Sequence, residues 1–176
     1  MTMGGVISIL ASLKKPRELK GIVVVSGGVT WNPEGATPFK RFVAKWFGWL
    51  VPNFPVSTII DLDLAVRTSE SKELLIKDPH TFKGTWLKAG WARTVMNTIP
   101  NLYDQMHNVD IPLLILHGGQ DKICDVKGAQ ELYETSNSHD KSLKVYPNSY
   151  HCLFLEPEGI AEEVVEEIRR WIKNRM

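Results

Sequence analysis

Short apolar runs that stop abruptly at polar clusters set the pattern of this chain. Ile22-Val23-Val24-Val25 ends at Ser26-Gly27-Gly28, and Leu113-Leu114-Ile115-Leu116 ends at His117-Gly118-Gly119-Gln120-Asp121. The apolar positions are consecutive rather than alternating, so each run reads as a strand buried on both faces, as in a parallel sheet covered by helices. A third strand is expected over 143–146, running into Pro147-Asn148-Ser149-Tyr150-His151. Around these runs the spacing shifts to the helical period. Helices are expected over 3–13, around 102–106, over about 126–135 and from Pro157 onward. In the last, Ile160, Val164, Ile168, Trp171 and Ile172 share one face, and Glu166 and Arg170 form an i,i+4 pair on the other. Pro157 suits a first helical turn. Strands alternating with helices predict an α/β fold with a parallel sheet.

The texture changes between about residues 31 and 100, where nearly all the Trp and Phe residues lie. This predicts an insert in the α/β rhythm. The segment 38–50 places Phe39, Phe42, Val43, Trp46, Phe47 and Leu50 on one helical face with Lys40, Arg41 and Lys45 largely opposite. That pattern fits either an interfacial helix or a cap helix packed on the core.

At 176 residues and 43% hydrophobic content the chain can bury a core as one domain with an inserted subdomain. A formal net charge of +1 and the absence of a long basic block exclude an electrostatic footprint for nucleic acid. Cys124 and Cys152 stand apart in a sequence without C-x-x-C, which indicates neither a zinc site nor a disulfide framework and fits reduced thiols in the cytoplasm. The apolar stretch 5–13 has no cationic segment before it and is too short to span a bilayer.

The candidate chemistry sits where strands end. In open parallel sheets the carboxyl edge is the usual place for a site, and here it receives Asp121 and His151. An acid and an imidazole on neighbouring strand ends suit the orientation of a general base toward a nucleophile. Asp121 also reads as a turn residue after two glycines, and His151 as a surface or core histidine. Asp125 is better placed to cap the helix beginning near Val126, and Thr2 to cap the helix beginning near Met3. His117 ends a strand with no carboxylate partner evident from the sequence.

Taken together, T-M-G-G, a buried strand, an aromatic insert, L-H-G-G-Q-D-K-I-C-D and Y-P-N-S-Y-H resemble the carboxyl-terminal part of an α/β-hydrolase, and more narrowly the monoacylglycerol lipases. The match is densest over 112–155 and weakest in the insert. The resemblance implies a core from 1–30 and 101–176 with a helical cap from 31–100. It places Asp121 and His151 as the acid and base, Thr2 at the serine position of a G-x-S-x-G elbow entered midway, the Met3 N–H in the oxyanion hole and Cys124 on the pocket wall. It implies a single-chain lipid ester as substrate, no metal or organic cofactor, and a cap that gives access from a membrane surface, hence a cytoplasmic or peripheral-membrane setting. It also places the strand over 22–25 beside an elbow strand not included in this sequence, so that one strand edge is left open to self-association or pairing with another chain. Thr2 in place of Ser, and the lack here of the loop supplying a second oxyanion donor, imply impaired ester hydrolysis. The alternatives are a non-catalytic lipid-binding module and an interaction fragment of a hydrolase.

Overall fold

The computed structural model describes residues 1–30, 42, 46–58, 61–80 and 86–176. Three parallel strands, β1 (Ile22–Val25), β4 (Leu113–Gly118) and β5 (Lys141–Tyr146), form one sheet in the order β1-β4-β5. Ile22 pairs with Leu113 and Leu113 in turn with Lys141, so the three carboxyl ends finish side by side. The strands expected from the apolar runs are present. The third starts two residues earlier than expected, because Lys141 and Ser142 continue the ladder along β4 without being apolar.

Consecutive apolar residues of β4 serve opposite faces. Leu113 and Ile115 pack with Val6 and Ile9 of α1 (Met3–Lys14), Leu102 of α4 (Ala89–Tyr103), and Ala129 and Leu132 of α5 (Val126–Thr135). Leu114 and Leu116 pack on the other side with Leu153 and with Val164, Ile160, Ile168 and Trp171 of α6 (Ile160–Lys173). This two-faced burial is why the run does not alternate. Leu113, Leu114, Ile115 and Leu116 are each at most 1% exposed.

Helix α5 has the expected bounds, and Asp125 caps it by accepting a hydrogen bond from the Lys127 N–H at 2.9 Å. Three expectations need correction. The helix expected around 102–106 begins at Ala89 and carries Pro100 within it, a short 3₁₀ turn over Met106–Asn108 following it. The closing helix starts at Ile160, not at Pro157, because Glu158 (φ 62°) and Gly159 (φ 79°) turn the chain through the left-handed region first. On its outer face Glu166 pairs with Arg169 at 3.0 Å and Arg170 with Glu167 at 3.6 Å, the i,i+3 neighbours replacing the expected Glu166–Arg170 pair.

Between β1 and β4 lie a two-stranded antiparallel sheet of β2 (Pro55–Thr58) and β3 (Trp86–Lys88), and the helices α2 (Leu62–Ala65) and α3 (Ser69–Lys77). The β2–β3 pair was not foreseen from the apolar pattern. Of the aromatic stretch 38–50, Phe39, Lys40, Arg41, Val43 and Lys45 lie outside the described residues. Residues 46–50 are helical, and Phe42, Trp46, Trp49 and Leu50 are exposed. Among the described residues no helix is long and apolar enough to cross a membrane.

Candidate active site

The carboxyl end of β4 and the loop after β5 are brought into contact by two glycines. A Cβ on Gly118 would stand 2.2 Å from the Tyr150 carbonyl oxygen, and one on Gly119 would stand 2.7 Å from that of Pro147. No side chain fits there. The close approach is held by the Gly119 N–H donating to the Tyr146 carbonyl at 2.8 Å and the Gln120 N–H donating to the Ser149 carbonyl at 2.9 Å. Asp121 and His151 are thereby carried to the same point.

Asp121 serves both as the turn residue and as the imidazole partner that its position suggested. Its Oδ1 accepts from the Ile123 N–H at 2.8 Å and the Cys124 N–H at 3.0 Å, which closes the turn, while Oδ2 lies 2.7 Å from His151 Nδ1. Burial alone would raise its pKa, but hydrogen bonds from His117 and His151, the charge of His151 and the Cys124 N–H together hold it well below the ordinary carboxyl range. Asp121 is therefore a carboxylate acceptor, so the proton between the two groups sits on Nδ1. The bare Nε2 then accepts a hydrogen bond from the Thr2 hydroxyl. Thr2, His151 and Asp121 form one hydrogen-bonded chain.

Thr2 stands at the N-cap position of α1 but, against expectation, does not cap it. Its side chain makes no cap hydrogen bond to α1. Its backbone stands at φ 47°, ψ −113°, a conformation a β-branched residue adopts only at a cost, and its Oγ1 meets the His151 imidazole instead. The geometry is fixed from both sides, because the Thr2 N–H donates to the Ser26 carbonyl at 2.9 Å and the Gly28 N–H donates to the Thr2 carbonyl at 3.1 Å. Thr2 thus makes a parallel bridge to Gly27 beyond the end of β1. Met3 opens α1, where an N–H has no carbonyl one turn earlier to bond.

Cys124 is buried beside this chain. Its thiol, the Asp121 carboxylate and the His151 imidazole offer atoms within 4.8 Å of one another, the one grouping among the described residues close enough to hold a metal ion. The hydrogen bonds already made by Asp121 and His151 do not suit that use. Burial, reinforced by the Asp121 charge, pushes the Cys124 thiol far up and keeps it protonated. Cys152, half-buried beside His151, is pushed up to about 11 by burial and by Asp121 and Glu156.

Sequence reasoning missed the role of His117. Fully buried, it places Nε2 3.0 Å from the Cys124 carbonyl and 3.3 Å from Asp121 Oδ2, so one N–H faces two acceptors and reaches the same carboxylate oxygen as His151. The signal was the spacing His117-x-x-x-Asp121 at a strand end, which is a contact only because the Gly118-Gly119 turn folds the acid back.

Residues 1–158 match the family model described as Serine aminopeptidase, S33. The monoglyceride lipase of Mus musculus is 33% identical over 175 residues, which cover 99% of this chain and 57% of that protein. The monoacylglycerol lipase of Mycolicibacterium smegmatis is 32% identical, with 99% and 61% covered. Among solved structures, the monoacylglycerol lipase of Paleococcus ferrophilus superposes with a TM-score of 0.90 at 23% identity, over 99% of this chain and 66% of that one. A soluble variant of the Saccharomyces cerevisiae monoglyceride lipase, bound to a substrate analogue, superposes at 0.85, also at 23% identity, over 99% and 63%. The chain spans less than two thirds of the length of these relatives.

Proposed function

The chain belongs to the hydrolase family described as Serine aminopeptidase, S33, and on that footing we propose that its site performs acyl transfer from single-chain lipid esters of the monoacylglycerol type. The observation that carries this reading is the unbroken path of hydrogen bonds from the Thr2 hydroxyl through His151 to Asp121. Thr2 Oγ1 attacks the ester carbonyl as its proton passes to His151 Nε2. Asp121 keeps Nδ1 protonated and stabilises the imidazolium that forms. The Met3 N–H donates to the developing oxyanion at the start of α1. His151 returns its proton to the leaving glycerol oxygen, and water, activated by the same imidazole, releases the fatty acid from Thr2. Cys124 contributes an apolar wall to the pocket. The methyl group of Thr restricts the rotamers open to the nucleophile, so turnover is slower than with Ser.

We further infer that 1–30 and 101–176 form the hydrolase core and 31–100 its cap. Both buried apolar clusters draw only on the first two segments, which supports that division. The exposed Phe42, Trp46, Trp49 and Leu50 support contact of the cap with a lipid surface. The terminal position of β1 in its sheet, next to the Thr2–Gly27 bridge, supports pairing of that edge with another strand, from a second copy or a related chain. A second reading, a lipid-binding module without chemistry, is favoured by the same exposed aromatics together with Thr2 at the nucleophile position.

The deciding experiment compares the chain with its Thr2→Ser and Thr2→Ala variants in monoacylglycerol hydrolysis and in fluorophosphonate labelling. The hydrolase reading expects labelling at residue 2, faster in the Ser variant and absent in the Ala variant. Flotation with liposomes in the absence of labelling by any of the three selects the second reading.

A further inference from the structure

His151 is gripped through the backbone on both of its flanks, by two different parts of the molecule. On one side the Tyr150 N–H donates to Glu156 Oε1 at 2.7 Å. On the other the Cys152 N–H donates to the carbonyl of Ala65, the last residue of α2, at 2.9 Å. These two grips are themselves joined. Glu156, whose side chain is 1% exposed, has its second oxygen 3.2 Å from Arg67 Nε, and Arg67 lies two residues after Ala65. The Arg67 guanidinium also reaches Glu158 at 3.3 Å, and the Ser71 hydroxyl, at the start of α3, donates to the Leu155 carbonyl at 2.6 Å.

A carboxylate this buried is costly to hold unless it is paired and hydrogen-bonded. Glu156 has a hydrogen bond on Oε1 toward the imidazole-bearing loop and, on Oε2, an ion pair short of hydrogen-bond geometry toward the segment 65–71. We propose that Glu156 and Arg67 are positioning residues for His151, locking the loop that carries the imidazole onto the segment that follows α2. The catalytic consequence rests on the acyl-transfer reading above, whereas the lock itself does not. When Arg67 and Glu156 are engaged, the Tyr150 and Cys152 amides are both held and Nε2 stays directed at Thr2. When either is removed, the loop gains freedom at both flanks, and the chemical step weakens while the pocket that receives the acyl chain is unchanged.

The test uses the full chain and its Glu156→Ala, Glu156→Gln, Arg67→Met and Arg67→Lys variants, followed by amide hydrogen exchange and fluorophosphonate labelling. In Glu156→Ala, exchange at Tyr150 and Cys152 is expected to accelerate about tenfold or more while the β4 amides keep their protection. The maximal labelling rate should fall about tenfold with the half-saturating probe concentration little changed. Glu156→Gln keeps an acceptor for the Tyr150 N–H and should retain protection there. Arg67→Met should loosen both flanks and Arg67→Lys restore them, which keeps the question answerable if Glu156→Ala fails to fold. Unchanged exchange at Tyr150 and Cys152 in Glu156→Ala and Arg67→Met, or a rise shared equally by β4, overturns the proposal. If the unmodified chain takes no label, the acyl-transfer reading fails and the exchange measurements still decide the lock.

Discussion

The sheet core and the segment between β1 and β4 are both rich in apolar residues, yet the strands bury theirs while the aromatic residues described ahead of the buried stripe of α4 are largely exposed. In the core, Leu113 through Leu116 are almost completely shielded, each packed on one of two helical layers. Among the described residues of the intervening segment the tryptophans stand well exposed, with Trp49 at 66%, Trp86 at 55% and Trp91 at 43% exposure. Apolar content alone therefore says little about stability. The core aliphatics fix the strand ends that carry the Thr2–His151–Asp121 chain, whereas the exposed aromatics present a surface. The two regions join where residues 65–71 meet the loop after β5.

That contrast is easiest to break at Asp121. If the chemistry belongs to the core, Asp121→Asn should lower the rate of fluorophosphonate labelling about 10³-fold or more. Trp91→Ala, in the same assay, should change it by no more than a few-fold. Comparable losses in the two variants would erase the distinction. Chemical denaturation sharpens it further. Ile115→Ala, which empties a fully buried site between helices and sheet, should cost about 3–4 kcal/mol, whereas Trp49→Ala should stay within about 0.5 kcal/mol. Gly118→Ala tests the contact on which the site depends. Its methyl group would meet the Tyr150 carbonyl, so a loss of about 2–3 kcal/mol is expected, with labelling reduced in the fraction that folds.

The smallest effect is the acid response. Asp121 is held below its ordinary value of 3.8. The unfolded chain therefore takes up this proton before the folded one does. The stability Asp121 contributes is full above that value and is lost progressively as the pH falls below it. Thermal unfolding between pH 6 and pH 2 should show a larger drop in Tm for the parent than for Asp121→Asn. A variant that follows the parent at every pH would show that the carboxylate is not held as described.

Much of this organisation was legible in the residue pattern because it rests on local rules. Two-sided burial gives the continuous runs of β1 and β4, and the Asp125 cap gives the start of α5. What was not legible depends on partners far away in sequence. Thr2 satisfies every local rule for a helix cap, but tertiary hydrogen bonds with Ser26, Gly28 and His151 hold it in a conformation that no local preference would select. Pro157 fits a helix start in isolation, yet Glu158 and Gly159 must first reverse the chain so that α6 can lie over Leu114 and Leu116. The contact of His117 with Asp121 needs the turn at Gly118-Gly119, and the union of Arg67 with Glu156 needs the whole intervening segment to be folded. Pro100 marked a boundary in the sequence texture, but α4 runs through it, because Val95, Ile99 and Leu102 form one buried stripe.

A single imidazole bridges Asp121 and Thr2, with its proton on the acid's side. Nitrogen-15 NMR of the His151 ring reads that arrangement without requiring turnover. The expected result is a proton on Nδ1 that exchanges slowly with solvent, a bare Nε2, and loss of that protected proton in Asp121→Asn. A ring protonated on Nε2 alone, or an Nδ1 proton exchanging as fast as that of an exposed histidine, would contradict it.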